Sequence, residues 1–211
     1  MSLEYIIKKF DICDRAKSPI EIEEINRKGL PSLFNELGFK IGAEIGVETG
    51  EFSELLCQGI PGLQLSCVDS WKAYRKYRDF VHQEKLDEFY EKAKERLTPY
   101  GCTLIREYSL DAVKNFKKDS LDFVYIDSNH EFEFIINDII QWSKIVRSGG
   151  IVAGHDYWES GGDLPYHVVM AVQAYVKAYK IKPWFLIGKR YDKEEGNKVW
   201  DRRRSFMWVK P

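Results

Sequence analysis

Short apolar segments alternate with amphipathic segments along most of this chain. Runs at 41–47, 64–68, 103–106, 121–126 and 151–154 have the length and apolar content of buried strands. Helical patterns occur at about 52–58, 72–97, 111–116 and 132–146, the last with six apolar side chains near helical spacing. Strands that alternate with helices are typical of parallel sheets, so the pattern predicts a doubly wound, mostly parallel α/β fold.

The two ends of the chain add further elements to this sheet. Ser18-Pro19-Ile20-Glu21 has a cap residue, an early proline and a glutamate three residues after the cap, which predicts a helix start. A helix is expected at 166–179 and strands at 184–187 and 205–209, with a charged loop at 189–204 between them. The prediction is one seven-stranded domain over 1–211, with an N-terminal helical segment (1–40), a cofactor-binding core (41–157) and a C-terminal helix and strands (158–211).

Composition narrows the classes of protein that the chain can belong to. The 211 residues are 44% hydrophobic, which is enough for one sizeable core. With 32 basic and 33 acidic residues the net charge is -1, which argues against nucleic acid and anionic membranes as partners, although Arg202-Arg203-Arg204 forms a short basic run. There is no membrane-spanning run and no signal-peptide core, and the four cysteines form no C-x-x-C. These features predict a reduced, cytoplasmic protein, and they leave homo-oligomerisation open.

The turn after the first central strand carries the strongest chemical signal. Residues 43–53 read Ala-Glu-Ile-Gly-Val-Glu-Thr-Gly-Glu-Phe-Ser, which is E-x-G-x-x-x-G rather than the dinucleotide fingerprint G-x-G-x-x-G. The carboxylates of Glu44, Glu48 and Glu51 would repel phosphates. They favour a cationic ligand with an amino group, and S-adenosylmethionine (SAM) has both a sulfonium and an α-ammonium.

Acidic residues follow three of the predicted strands. Asp69, Asp127 and Asp156 each come just after the carboxyl end of a strand, the edge at which open α/β sheets bind ligands. Any one of them could instead cap the next helix, but three beside an acidic glycine turn favour a site. Asp69 can accept hydrogen bonds from ribose hydroxyls, in NAD as well as in SAM. Trp71 is expected either to lie against the adenosine or to belong to the core.

Two further segments make a resemblance specific. Ile126-Asp127-Ser128-Asn129-His130 is an I-D-x-x-H turn, and residues 149–157 read Gly-Gly-Ile-Val-Ala-Gly-His-Asp-Tyr. Together with the acidic glycine turn, they resemble class I SAM-dependent methyltransferases, in the branch of macrocin-type O-methyltransferases and cephalosporin-hydroxylase-like proteins. The resemblance covers about Ile41 to Tyr157. It implies a Rossmann-like sheet with helices on both faces, and methyl transfer from SAM to a hydroxyl of a small molecule such as a sugar or a natural product.

The resemblance also implies which residues bind the cofactor. The matching positions are Glu44, Gly46 and Gly50 around the methionine part of SAM, Ser53 at its carboxylate, Asp69 at the ribose, Ser109 and Leu110 at the adenine, and Asp127 close to SAM.

The same resemblance implies a metal and a base. Asp127 and Asp156 match metal ligands, with magnesium as the expected ion, although His155 and Tyr157 stand where many members have a further acid or amide. His130 matches the general base, and a neutral imidazole can accept a proton near pH 7. His155 is the alternative base, or a buried histidine at a strand end. A metal-independent methyltransferase, an NAD-dependent oxidoreductase and a non-catalytic SAM-binding protein are the alternative functions.

Overall fold

One eight-stranded sheet with helices on both faces organises the protein. The computed structural model describes residues 1–13, 15–74, 82–158, 166–190 and 203–211. The strands are β1 (Ile20–Ile22), β2 (Ile41–Ile45), β3 (Gln64–Asp69), β4 (Thr103–Arg106), β5 (Leu121–Ile126), β6 (Val146–Tyr157), β7 (Phe185–Ile187) and β8 (Arg204–Val209). The α-helices are α1 (Ser2–Lys9), α2 (Leu30–Glu36), α3 (Glu51–Gly59), α4 (Gln83–Leu97), α5 (Ser109–Ala112), α6 (Phe132–Trp142) and α7 (His167–Ala178).

The strand order is β1-β7-β8-β6-β5-β2-β3-β4. β8 runs antiparallel to β6 and β7, and every other neighbouring pair is parallel. From β2 the chain proceeds outward to β3 and β4, and then returns to the other side of β2 with β5. This reversal leaves a crevice at the carboxyl ends of β2 and β5, where doubly wound sheets bind their ligands. The doubly wound, mostly parallel fold is therefore confirmed.

The extra strand replaces a helix that the sequence predicted. Ser18–Glu21 does not start a helix; β1 pairs in parallel with β7, and Ile20 lies opposite Phe185. Ile20 N–H donates to the carbonyl of Trp184 (2.9 Å), and Gly188 N–H donates to that of Ile22 (2.9 Å). The capping pattern is a local signal, and pairing with a strand more than 160 residues away outweighs it. Residues 1–40 accordingly contain α1, β1 and α2 rather than helices alone.

The central strands lie where the sequence places them, and several other bounds shift. β6 begins at Val146 rather than Ile151, because Val146 pairs with Leu121, so α6 ends earlier than predicted. The helix expected over 72–97 occupies Gln83–Leu97, and residues 75–81 lie outside the described ranges. Residues 191–202 of the expected charged loop also lie outside them. Arg204 is not in a loop, since it begins β8 and is buried in an ion pair with Glu21 (2.8 Å).

Alternation along the central strands divides the core between the two faces of the sheet. In β2, Ala43 and Ile45 face the core under α5, α6 and α7, whereas Glu44 lies in register with Cys67 and Tyr125 on the other face. That second face is covered by α1, α2, α3 and α4. Glu44 is thus a carboxylate that is buried within a sheet covered on both sides. None of the helices in the described ranges is long and apolar enough to cross a bilayer.

Candidate active site

A cavity of about 1260 Å³ opens at the carboxyl ends of β2, β3 and β5, the crevice left by the reversal of strand order. Eight of the site residues expected from the sequence line it, namely Glu44, Gly46, Asp69, Ser109, Asp127, His130, His155 and Asp156. The cavity wall does not include the other four, Gly50, Ser53, Trp71 and Leu110.

The turn after β2 passes directly against the turn after β5. Gly46 has a φ of +88°, and a Cβ at this position would lie 2.2 Å from the backbone oxygen of Asp127. No side chain fits there, so the glycine allows the two turns to meet. Gly50, with a φ of +79°, caps α3 rather than lining the cavity. The turn thereby brings Glu48 and Glu51 to the cavity beside Glu44.

Asp69 fastens the glycine turn to the end of β3. Its Oδ2 accepts hydrogen bonds from the N–H groups of Val47 (2.9 Å) and Glu48 (3.0 Å), and its Oδ1 accepts one from Trp71 (2.9 Å). Burial raises the pKa of Asp69 in spite of these donors. The role that the sequence suggested, binding ribose, remains a prediction; the role visible in the structure is to hold the backbone of the turn.

Three residues that were predicted to contact the cofactor, Trp71, Ser53 and Leu110, do not line the cavity. Trp71 is only 1% exposed, packs its ring against Tyr90 and donates from Nε1 to the carbonyl of Glu48 (2.8 Å), so of its two expected locations it occupies the core. Ser53 is fully buried and donates its hydroxyl to Glu44. Leu110 is exposed at the surface outside the cavity. Trp71 therefore holds the glycine turn through the carbonyl of Glu48, and Ser53 holds the carboxyl of Glu44, both from outside the cavity.

Asp127, His130 and Asp156 converge on one point. Nε2 of His130 lies 2.7 Å from Oδ2 of Asp156 and 3.5 Å from Oδ1 of Asp127. The pairing of β6 with β8 shifts register between Gly154 and Tyr157, and Asp156, within this irregular stretch, has a φ of +60°. Strained backbone of this kind is common at functional sites. His155 approaches the same carboxylates, with Nδ1 3.9 Å from Asp127 and 3.6 Å from Asp156.

Opposite charges control how these groups ionise. Burial alone would raise the pKa of Asp127, but Arg27 and His130 outweigh it and lower the pKa. Against the same effect of burial, His130 and His155 hold the pKa of Asp156 well below its usual range. Burial lowers the pKa of His130, yet the two carboxylates together raise it to about 10. His130 is therefore an imidazolium at neutral pH in this arrangement.

Glu44 differs from the other acids of the cavity. Burial raises its pKa to about 8, although Arg27 and the hydroxyl of Ser53 both favour its charged form. At neutral pH the unliganded protein therefore holds this carboxyl largely protonated. A cation bound beside Glu44 would favour the ionised form.

Two arginines that carry no sequence motif complete the cavity. Nη2 of Arg27 lies 2.8 Å from Oδ2 of Asp127 and 3.9 Å from Oε1 of Glu44. Arg203 forms an ion pair with Asp156 and places its guanidinium over the ring of Trp158 (5.3 Å). Arg203 belongs to the basic run noted in the sequence, but nothing local indicates that its side chain reaches a carboxylate at the end of β6. Arg27 has no sequence signal.

Asp138 is a buried acid that joins two turns of the cavity. It lies on α6 and accepts hydrogen bonds from the hydroxyls of Ser109 and Ser128, which line the cavity after β4 and β5. Burial raises its pKa to about 6, against both hydroxyl donors. A signal for it exists in the sequence, because an acid stands between Ile135, Ile139 and Trp142 on the apolar face of a helix.

The fold and the cavity together define a class of protein. A doubly wound sheet with an antiparallel β8, an acidic glycine turn after β2 and an acid at the end of β3 is the architecture of class I SAM-dependent methyltransferases. The sequence matches the family profile described as "Methyltransferase domain" over residues 43–157, more than half of the chain. The chain belongs to this family and is a SAM-dependent methyltransferase.

Solved structures share the fold at low sequence identity. The O-methyltransferase from Bacillus cereus in complex with S-adenosylhomocysteine (SAH) is similar, with a TM-score of 0.61, 16% identity and coverage of 99% of this chain and 90% of that one. The O-methyltransferase TomG from Streptomyces achromogenes, with SAM, has a TM-score of 0.58, 15% identity and coverage of 100% and 90%. An rRNA methylase from Streptococcus thermophilus has a TM-score of 0.57, 14% identity and coverage of 86% and 94%. No curated protein matches the sequence.

Proposed function

We propose that the protein transfers the methyl group of SAM to a hydroxyl oxygen of a small molecule, such as a sugar or a natural product. The observation that carries this proposal is the convergence of Asp127, His130 and Asp156 in the same cavity as the acidic glycine turn. A hydroxyl is a weak nucleophile, and an acid–imidazole centre can remove its proton. The O-methyltransferases from Bacillus cereus and Streptomyces achromogenes support the same class of acceptor.

An RNA acceptor fits these observations less well. The rRNA methylase shares the fold, but a fold does not determine the acceptor. Seven carboxylate residues line the cavity against four lysines and arginines, and the chain as a whole carries a net charge of -1. RNA binding depends on a basic surface that neutralises phosphates. A neutral hydroxylated molecule meets no such electrostatic penalty.

Methyl transfer is a single displacement. The acceptor oxygen attacks the methyl carbon, the carbon–sulfur bond breaks, SAH leaves, and the hydroxyl proton passes to a base. In the proposed arrangement Glu44 and the turn at Gly46 hold the methionine end of SAM, Asp69 binds the ribose, and Ser109 lies at the adenine. The chain's main contribution is then to align oxygen and methyl group, an effective-concentration effect.

The base must give up its own proton before it can act. His130 donates rather than accepts a proton while both carboxylates hold it as an imidazolium. It can act as a base only if another cation pairs with Asp127 and Asp156, because those carboxylates then no longer raise the pKa of His130. His155, which faces the same two carboxylates, is the alternative base.

The acidic centre fits a divalent cation. One ligand atom each from Asp127, His130 and Asp156 lies within 4.8 Å of the others, and Nε2 of His130 has no aligned hydrogen-bond acceptor among the described residues. Two carboxylates suit magnesium. With His130 as a third ligand the preference shifts toward manganese or zinc, and the role of base then passes to His155, because a metal-bound ring nitrogen cannot accept a proton. A bound cation would lower the pKa of the acceptor hydroxyl. Metal-independent transfer is the second candidate, because Arg27 and Arg203 already pair with the two carboxylates.

The test of this proposal combines ligand binding with turnover. SAM and SAH are expected to raise the unfolding temperature, and NAD is expected to leave it unchanged. A panel of hydroxylated small molecules, followed by mass spectrometry for SAH and for a product heavier by one methylene, identifies the acceptor class. Transfer only to amines or carbon acceptors, or stabilisation by NAD instead of SAM, would contradict the proposal.

The metal is tested separately by chelation. Activity should fall in excess EDTA and return with magnesium or manganese, and an Asp127→Asn, Asp156→Asn double variant should show no such response. Full turnover in EDTA would select the metal-independent version.

A further inference from the structure

Arg27 is a cation at the acidic end of the cavity. Its guanidinium lies 4.3 Å from the ring centre of Phe52, at the start of α3, and 5.2 Å from that of Tyr125 in β5. Nη2 is 2.8 Å from Asp127 and 3.9 Å from Glu44. These contacts place the guanidinium beside the glycine turn, at the end of the cavity where Glu44 lies, while Arg203 is at the opposite carboxylate, Asp156.

The surroundings of Arg27 hold its guanidinium in one plane. Two aromatic rings support it, and its side chain is only 23% exposed. A guanidinium has five N–H donors in a fixed fork that matches the two oxygens of a carboxylate. The segment that supplies Arg27, a short 3₁₀ turn at Arg27–Gly29, lies outside the matched family region 43–157.

The charges of the cofactor match this arrangement. SAM carries two positive groups, the sulfonium and the ammonium, and one negative group, the α-carboxylate. Glu44, Asp69 and Asp127 can balance the positive groups, but they would repel the carboxylate. Arg96, another arginine of the cavity wall, donates to the carbonyl of Thr49 (3.0 Å) and to Glu54 (2.7 Å).

Ser53, the residue that the resemblance suggested for the carboxylate of SAM, does not point into the cavity. Ser53 donates its hydroxyl to Glu44, is fully buried, and does not line the cavity. A cofactor carboxylate near Glu44 therefore needs a different donor.

We propose that Arg27 binds the α-carboxylate of SAM and so determines that the cavity accepts the complete amino-acid end of the cofactor. This inference rests on the proposed function, because it assumes that SAM occupies the cavity with its methionine part at Glu44.

The experiment compares two ligands that differ only in the carboxylate. SAH carries it, whereas its decarboxylated analogue, S-adenosyl-3-thiopropylamine, keeps the amine and lacks the carboxylate. In Arg27→Gln, calorimetry should show SAH binding weakened roughly 10–150-fold, the range for a charge-assisted hydrogen bond, and analogue binding changed less than about threefold. Arg27→Lys keeps the charge without the fork and should lose part of this discrimination. Arg147→Gln is the matched control, because Arg147 also lies over an aromatic ring (Phe39, 5.4 Å) and pairs with an aspartate (Asp122, 2.8 Å) but does not line the cavity; it should leave the ratio of the two affinities unchanged.

Each outcome has a separate meaning. Equal losses for both ligands, or no loss for either, would overturn the role of Arg27 at the carboxylate. The unfolding temperature and the circular dichroism of Arg27→Gln are compared with those of the wild type, so that equal losses count against the role of Arg27 only in a folded variant. If wild-type protein binds neither ligand, the proposed function fails first. If wild-type protein binds SAH and Arg27→Gln keeps the same ratio, this inference alone fails.

Discussion

Replacing Asp69 by alanine tests how the turn after β2 is held. The carboxylate accepts three backbone hydrogen bonds, from Val47, Glu48 and Trp71. A hydrogen bond to a charged group contributes roughly 1.5–3 kcal/mol, but water can reach a half-buried group and replace part of this. We expect Asp69→Ala to lower the free energy of unfolding by about 3 kcal/mol in total. For a chain of this length, that corresponds to a fall of roughly 6–12 °C in the unfolding temperature.

The same substitution should also weaken the binding of the cofactor, and this effect can be measured separately from the loss of stability. A carboxylate that binds ribose hydroxyls contributes roughly 1.5–3 kcal/mol, so the Kd for SAH should rise about 10–150-fold. Calorimetry at 15 °C, where the variant remains folded, measures this rise without interference from unfolding. Circular dichroism of the same samples confirms the folded fraction.

Asp122 provides a matched control at the other end of β2. Its Oδ2 accepts from the N–H groups of Lys40 (2.7 Å) and Ile41 (2.9 Å), and Arg147 donates to Oδ1 (2.8 Å). Asp122→Ala should therefore lower stability to a similar extent and leave SAH affinity unchanged. If Asp69→Ala binds SAH as well as Asp122→Ala does, Asp69 has no part in ribose binding. If Asp69→Ala unfolds at the wild-type temperature, the reasoning from its backbone hydrogen bonds is refuted.

Three further predictions concern the site. His130→Ala should reduce kcat about 10²–10⁴-fold and leave the affinity for SAM nearly unchanged. If His155→Ala is inactive and His130→Ala turns over normally, the base is His155, at the end of β6. Gly46→Ala should abolish SAH binding and lower the unfolding temperature, because its Cβ would meet the backbone oxygen of Asp127 at 2.2 Å; wild-type affinity in this variant would contradict the close approach. Asp138 has a pKa of about 6 when folded and about 3.9 when unfolded, so its stabilising contribution is complete below about pH 4 and is lost as the pH rises through 6. Urea unfolding measured between pH 4 and 7 should show the wild type losing up to about 3 kcal/mol of stability, whereas Asp138→Asn should not lose it. If stability falls equally with pH in the variant and the wild type, Asp138 is not the cause.

The sequence predicts the central strands well because their signals are short-range. β3, β4 and β5 differ from expectation by one residue at most. The apolar runs of β3 and β5 end at Asp69 and Asp127, and β4 follows a glycine, Gly101. The failures involve partners distant in sequence. β1 depends on β7, and the early start of β6 depends on pairing with β5, which a local window does not contain.

The same distinction holds for the candidate site. Asp69, Asp127 and Asp156 could be assigned to one cavity because the carboxyl ends of parallel strands meet at one edge. Ser53 and Trp71 also lie near that edge, but the direction in which their side chains point depends on packing against Glu44 and Tyr90. Arg27 and Arg203 reach the cavity from segments without a periodic pattern, so no rule of spacing finds them.

The position of β8 has a consequence for biosynthesis. β8 follows every other strand in the sequence, yet it lies inside the sheet, between β6 and β7. As the chain leaves the ribosome, β1 and β7 can pair with each other but can join the remaining strands only after residues 204–209 have emerged. Arg203 directly precedes this strand, so its ion pair with Asp156 also forms only after that segment has emerged. A nascent chain stalled before β8 would expose the open edges of β6 and β7 together, which makes this interval the one in which a chaperone has most to protect.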